Sequence, residues 1–175
     1  LIPGGPAPWF ATAFTPDCYD NTGIDGWDLL GHLVYDNMFR GLSAHDGNRF
    51  VAFAAGFVPN GNVSFSEAFA QTVSLTAGQS YTLSACMAVD DTGRSNSNFG
   101  GPYTGRGTVD VLLNSSLIGT FSANTATLTW EQRRVNFVAP VASSYTLEFV
   151  VRQQPGIAPA GADLPSFIAL DSIVI

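Results

Sequence analysis

Apolar residues recur along this chain with a period of two, and no helix-length window shows a sustained 3.6-residue period. In 79–89 ("QSYTLSACMAV"), Tyr81, Leu83, Ala85, Met87 and Val89 share one face, and in 144–153 ("SYTLEFVVRQ") Tyr145, Leu147, Phe149 and Val151 do the same. Successive strand side chains point to opposite faces, so this alternation predicts strands with one buried face. Runs rich in β-branched and aromatic residues, punctuated by Gly, Asn, Pro and Asp, predict further strands. These fall at 26–35, 48–56, 66–75, 108–114, 117–123, 127–139 and 166–175, with one more near "PWFATAF" (8–14).

In 127–139 the alternation slips. Leu128, Trp130 and Gln132 lie on one face, and Val135, Phe137 and Ala139 continue it out of phase, so a β-bulge is expected near Arg133. "LTAGQSY" (75–81) and "LNSSLIG" (113–119) are expected to be hairpin or corner turns. Two stretches are not strand-like: a Gly/Asn/Ser-rich loop at 90–107 and a Pro/Gly-rich loop at 154–165. With no repeat and no dividing linker, the pattern predicts one all-β domain over 1–175. It is an antiparallel β-sandwich of about eight to ten strands, and 1–25 is an irregular N-terminal segment packed on it.

Composition narrows the function. The 175 residues are 46% apolar but only 12% charged, with a formal net charge of −7. All 7 basic residues are Arg. That balance offers no electrostatic footprint for nucleic acid and no polybasic patch for an anionic membrane. No apolar run approaches the roughly 18 residues that span a bilayer. A surface of Ser, Thr, Asn, Gln and Gly suits an extracellular β-protein, secreted or surface-exposed. Cys18 and Cys86 have no CxxC or Cys/His company, so zinc is not expected; they are expected to form one long-range disulfide, the alternative being two free buried thiols.

The order of strands carries a resemblance. "GWDLLG" is followed by "AHDGNRFVAFAAG" (44–56), "AFAQTVSLTAGQSYTLSACMAV" (68–89), and the hairpin "TVDVLLNSSLIGTF" (108–121). Then come "TWEQRRVNFVAPVASSYTLEFVV" (129–151) and the closing "FIALDSIVI". Over roughly 26–175 this succession resembles the galactose-binding-like jelly rolls, carbohydrate-binding modules and related bacterial and plant cell-wall-associated domains above all. The resemblance implies a jelly roll that binds a polysaccharide or glycan and performs no catalysis. It also implies a structural calcium ion, held by Asp171 in the last strand together with Asp46 and Asn48. The alternative for Asp171, set among apolar neighbours, is a latch on backbone N–H groups without metal.

Candidate ligand chemistry concentrates in 90–107. Aromatic faces stack on sugar C–H surfaces, and planar polar groups pair with vicinal hydroxyls. Asp91, Arg94, Asn96, Asn98, Phe99, Tyr103 and Arg106 supply both kinds of group. Trp27 and Trp130 sit in predicted strands and are expected in the core, whereas Trp9 lies in a Pro-rich context. Catalytic signatures are missing: there is no GxSxG, and His45 and Asp46 are adjacent, so strand geometry would turn them to opposite faces. The competing function is structural, an assembly subunit of a virion, filament or surface layer that self-associates through its edge strands.

Overall fold

The computed structural model describes residues 28–30, 34–36, 38–39, 41–47, 50–58, 63–90, 95–96, 101–102, 107–123, 128–140, 144–153 and 166–175. In chain order its strands are β1 (Asp28–Leu30), β2 (Val34–Asp36), β3 (Met38–Phe39), β4 (Leu42–Ser43) and β5 (Phe50–Val58). Next are β6 (Val63–Ser66), β7 (Ala68–Ser74), β8 (Ser80–Asp90), β9 (Ser95–Asn96) and β10 (Gly101–Pro102). The last five are β11 (Gly107–Leu113), β12 (Ser116–Ser122), β13 (Glu131–Val138), β14 (Ser144–Gln153) and β15 (Ser166–Val174). The described residues contain no helix, and every strand pairing among them is antiparallel.

Two sheets face each other. The first has the order β1-β7-β14-β11-β12 and the second β13-β8-β15-β5-β2, with β6 paired to β5. The inward positions of the alternating strands fill the space between them: Leu83, Met87, Val109, Phe121, Leu147, Phe149, Ile168 and Leu170 are all buried in one cluster. The sandwich expected from the period-two pattern is therefore present. The segment 8–14 and the N-terminal segment 1–25 lie outside the described residues.

Three local expectations need correction. The single strand expected at 26–35 is two, because β1 pairs with β7 in the first sheet and β2 with β5 in the second. A hydropathy pattern reports which face is buried, not which sheet a residue joins. The bulge expected near Arg133 is not there, since β13 runs against β8 in unbroken register from Glu131↔Met87 to Val138↔Ser80. The phase slip is absorbed earlier: Leu128 takes a positive φ of 47°, and its N–H bonds Val89 O at 2.9 Å, so 128–130 precede the ladder. Trp130 accordingly is not in the sandwich core.

Turn chemistry sorts the connections. The β11–β12 hairpin closes through Asn114 and Ser115, both at positive φ (48° and 63°), as a two-residue type I′ turn requires. By contrast, 75–79 joins strands of different sheets and is a corner. There Gly78 (φ 75°) donates to Ala139 O, and the Tyr81 hydroxyl accepts the Thr76 N–H at 2.9 Å.

The sheets approach closely where β12 meets β13. Arg133 Nε donates to Ser122 O, and its guanidinium also pairs with Glu131. A Cβ added to Gly119 would lie 2.5 and 2.7 Å from the two γ-carbons of Val135. Gly119→Ala is therefore expected to destabilise the fold by about 1–3 kcal/mol, the usual cost of overpacking. Adding Val135→Ala should recover part of that loss, and urea denaturation of the single and double variants checks it. A single variant as stable as the parent would show that the strands separate freely here.

Candidate functional site

Two places in the fold bring chemistry-bearing residues together. The first lies on the outer face of the second sheet. The even-numbered positions of β8 face outward, opposite the buried Leu83, Ala85, Met87 and Val89. Outside, Leu42, Phe50, Ala52, Ala88 and Ala169 form a second, smaller cluster, with Ala44, Leu128 and Trp130 packed against it. The ribbon β3–β4 and the turn after it thus form a flap over this face. Trp130 meets Phe50 and His45 edge-on, with ring centroids at 5.5 and 6.1 Å, and its Nε1 donates to Ser43 O at 2.9 Å.

Asp171 fastens the flap. It is 1% exposed. Its Oδ2 accepts the backbone N–H groups of His45 (2.7 Å) and Asp46 (3.1 Å), and its Oδ1 accepts that of Ser172 (2.6 Å). The His45 ring contacts Ser172 Oγ at 3.0 Å. A bulge between Asp171 and Val174, with Ser172 at φ 52°, turns the strand so that Ile173 reaches the core while Asp171 stays outward.

Calcium is coordinated by oxygens. The groups directed at Asp171 are N–H donors, and the Asp46 carboxylate turns back to accept the Gly47 N–H at 2.8 Å. Among the described residues no three His, Cys, Asp or Glu side chains converge as metal ligands. Asn48 lies outside the described residues. The described residues do not fit the ion that the resemblance implies; they fit the backbone latch.

Cys86 lies beside Asp171 in the ladder and is a free, buried thiol. No disulfide is formed by it in the structure, and Cys18, its expected partner, lies outside the described residues. Burial pushes the thiol pKa up, and repulsion by the Asp171 carboxylate adds to the rise. The folded state thus holds this proton to higher pH than the unfolded chain does. That contribution to stability is complete below the unfolded thiol pKa and is lost as pH rises through the folded one. Alkylation of Cys86 is expected to be slow in the native protein at neutral pH and fast in denaturant without reductant. Fast native labelling would contradict the burial, and protection in denaturant would reveal a disulfide.

The second place is one end of the sandwich. Gly107 pairs with Gln153 in the first sheet, and Asp90 with Phe167 in the second. The loops 91–106 and 154–165 therefore both spring from this end, the one remote from the 75–79 corner. Near their roots, on the outer face of the first sheet, Arg152 Nε bonds Asp110 Oδ2 at 3.1 Å, and Thr120 Oγ1 donates to Asp110 Oδ1 at 3.0 Å. Asn96 belongs to the short ribbon β9–β10, where it pairs with Gly101. Asp91, Arg94, Asn98, Phe99, Tyr103 and Arg106 lie outside the described residues, as do Trp9 and Trp27.

No protein-family model matches the sequence, and no curated protein matches it. Solved structures do match by shape. TmCBM61, in complex with β-1,4-galactotriose, superposes with a TM-score of 0.52 at 14% identity, covering 90% of this chain and 95% of that one. A family 16 carbohydrate-binding module gives 0.50 at 15% identity, covering 90% and 95%. The fold is the jelly roll of these modules. A cyclase from Fischerella sp. TAU shares it, with a TM-score of 0.53 at 11% identity and coverage of 93% and 89%. The same jelly roll therefore carries both binding modules and an enzyme, and the assignment of function rests on the site.

Asp110, Thr120 and Arg152 were not among the candidates that the sequence pattern singled out. Their signal was present: Thr108, Asp110 and Leu112 alternate with the buried Val109 and Val111, and Arg152 follows the buried Val151. Outward polar positions next to a loop root are where such groups gather. The resemblance placed Asp46 near Asp171, but that the contact runs through the backbone N–H groups of His45 and Asp46 left no signal, because a backbone N–H is the same in every residue but proline.

Proposed function

We propose that this protein is a non-catalytic, extracellular carbohydrate-binding module that grips a polysaccharide or glycan at the loop end of its sandwich. The observation that carries this reading is the common root of the two long loops beside the outward Asp110–Arg152 pair. In sequence, the loop 90–107 carries Arg94, Asn96, Phe99 and Tyr103, a set of planar polar and aromatic groups of the kind that bind sugars. The bound oligosaccharide of TmCBM61 and the shared fold support the same class of ligand.

A glycan-array screen of the intact chain, with calcium and with chelator, tests the reading. Arg94→Ala and Tyr103→Ala are each expected to weaken binding to the best glycan by about 1–2 kcal/mol, from a charge-assisted hydrogen bond and an aromatic contact. The glycan should be recovered unchanged. If both variants bind as the parent does, the site lies elsewhere; if the glycan is turned over, the protein is an enzyme.

One observation favours the assembly alternative. Leu117 on edge strand β12 and Val138 on edge strand β13 are 60% and 59% exposed. Size exclusion at dilute and high concentration separates the two: a monomer throughout supports the binding module, and a large species at every concentration supports the subunit.

A further inference from the structure

The bend that Asp171 holds carries the dipeptide Asp46–Gly47, and both residues are exposed. The Asp46 side chain folds back on the next peptide unit: its Oδ1 accepts the Gly47 N–H at 2.8 Å, so the nitrogen stands beside the carboxyl group of the preceding residue. Groups within one molecule react fastest when they are held about 3–3.5 Å apart. Gly47 has no Cβ to hinder a ring closing on its nitrogen, and no described atom lies within 4 Å of where a Cβ would be. Its φ of 66° is one that glycine alone adopts at little cost. Only the Asp46 main-chain carbon, Cα and Cβ separate the two reacting atoms, so their union makes a five-membered ring.

We infer that Asp46–Gly47 is a site of spontaneous covalent modification, where the backbone isomerises to isoaspartate and loosens the latch on the flap. Gly47 N attacks Asp46 Cγ. The N–Cγ bond forms, the Cγ–OH bond breaks, and the hydroxyl leaves with the amide proton as water. The cyclic imide then takes up water at the main-chain carbonyl carbon of Asp46. There the bond to Gly47 N breaks, the nitrogen regains its proton, and a carboxyl group is left on Cα. One water is lost and one regained, and nothing is oxidised or reduced. The chain now reaches Gly47 through Cβ and is one carbon longer. Asp171 Oδ2 accepts the N–H groups of His45 and Asp46 at 2.7 and 3.1 Å, so the added carbon enters the backbone directly after the latched residue. Beyond it the chain must still reach Phe50, which lies against Trp130 under the flap.

The test holds the intact folded chain at physiological temperature and neutral pH for weeks, with peptide mapping and a thermal melt of each sample. Isoaspartate at 46 reads as a peptide of unchanged mass and altered retention, preceded by an imide lighter by one water. It is expected to accumulate, and a second, lower melting transition should grow in proportion to it. Asp46→Glu keeps the backbone N–H that Asp171 accepts, but its longer side chain would have to close a six-membered ring, which forms far more slowly. This variant should hold its fresh melting temperature throughout the incubation. Asp46→Ser, which has no carboxyl group, should do the same and serves if Asp46→Glu perturbs the fold. Three results overturn the inference: no isoaspartate at 46 in the folded chain while the chain in denaturant acquires it; isoaspartate at 46 with no change in the melt; or a lower transition that grows in both variants as in the parent. Mapping also reads Asp25–Gly26, the other Asp–Gly pair of the chain, so a loss of stability that follows residue 25 and not residue 46 counts against it as well.

Discussion

Asp171→Ala is expected to lower stability by about 2–4 kcal/mol. The carboxylate is buried and holds three backbone N–H groups, from His45, Asp46 and Ser172. A buried donor left without an acceptor costs about 1–3 kcal/mol, and neighbouring losses do not add in full because water replaces some of the bonds. For a domain of this length the melting temperature should fall by roughly 5–15 °C. Asp171→Asn should fall between parent and Ala: its amide oxygen still serves one side of the latch, while its NH₂ meets a donor on the other.

Chelator should leave the melting temperature of the parent unchanged, because the described groups that contact Asp171 are hydrogen-bond donors. A ligand that bound only the folded state would raise stability by mass action, and its removal would show in the same melt. A drop with chelator that calcium reverses would restore the metal reading. A variant that melts like the parent would mean that the flap holds without its latch.

Phe149→Ala is expected to cost about 3–5 kcal/mol, the range for a large aromatic removed from a packed core. Phe149 is fully buried on β14, in the middle of the first sheet, stacked on Phe69 at 5.0 Å and tilted against Phe121 at 6.4 Å. The truncation leaves a cavity between sheets that other core side chains hold apart. Phe149→Leu, which fills most of it, should cost about 1–2 kcal/mol. In urea the midpoint should drop with little change in slope, as befits a loss of stability without a change in the surface exposed on unfolding. An Ala variant within about 1 kcal/mol of the parent would show that the sheets close over the gap.

The sandwich was legible because burial on one face of a strand writes itself into every second residue. Leu83, Ala85, Met87 and Val89 sit inward as their spacing predicts, and β14 spans the run 144–153. The turn at Asn114 and Ser115 was legible too, since a two-residue hairpin needs residues that tolerate positive φ. The split of 26–35 was not, because consecutive residues of one period can join different sheets. Nor was the fate of Trp130, whose strand-like neighbours concealed a turn at Leu128 that carries it out to the flap.

Asp171 shows where the boundary runs. The sequence by itself determined that a carboxylate stands among apolar strand residues and requires a partner, because an unpaired buried charge is too costly to keep. It also determined the inward faces, the class of fold and the weakness of any electrostatic claim on nucleic acid. The resemblance already set Asp46 beside Asp171; only the tertiary structure decided that the contacts are backbone N–H groups, of His45 and Asp46, more than a hundred residues away and brought within 2.7 and 3.1 Å by β15 lying beside β5 and by the flap that precedes it. The same holds for the common root of the two long loops, which depends on Gly107 meeting Gln153 across a ladder. Side-chain alternation is a local property and can be read along the chain, whereas hydrogen bonds to backbone groups and the meeting of distant strand ends depend on register, which no single segment encodes.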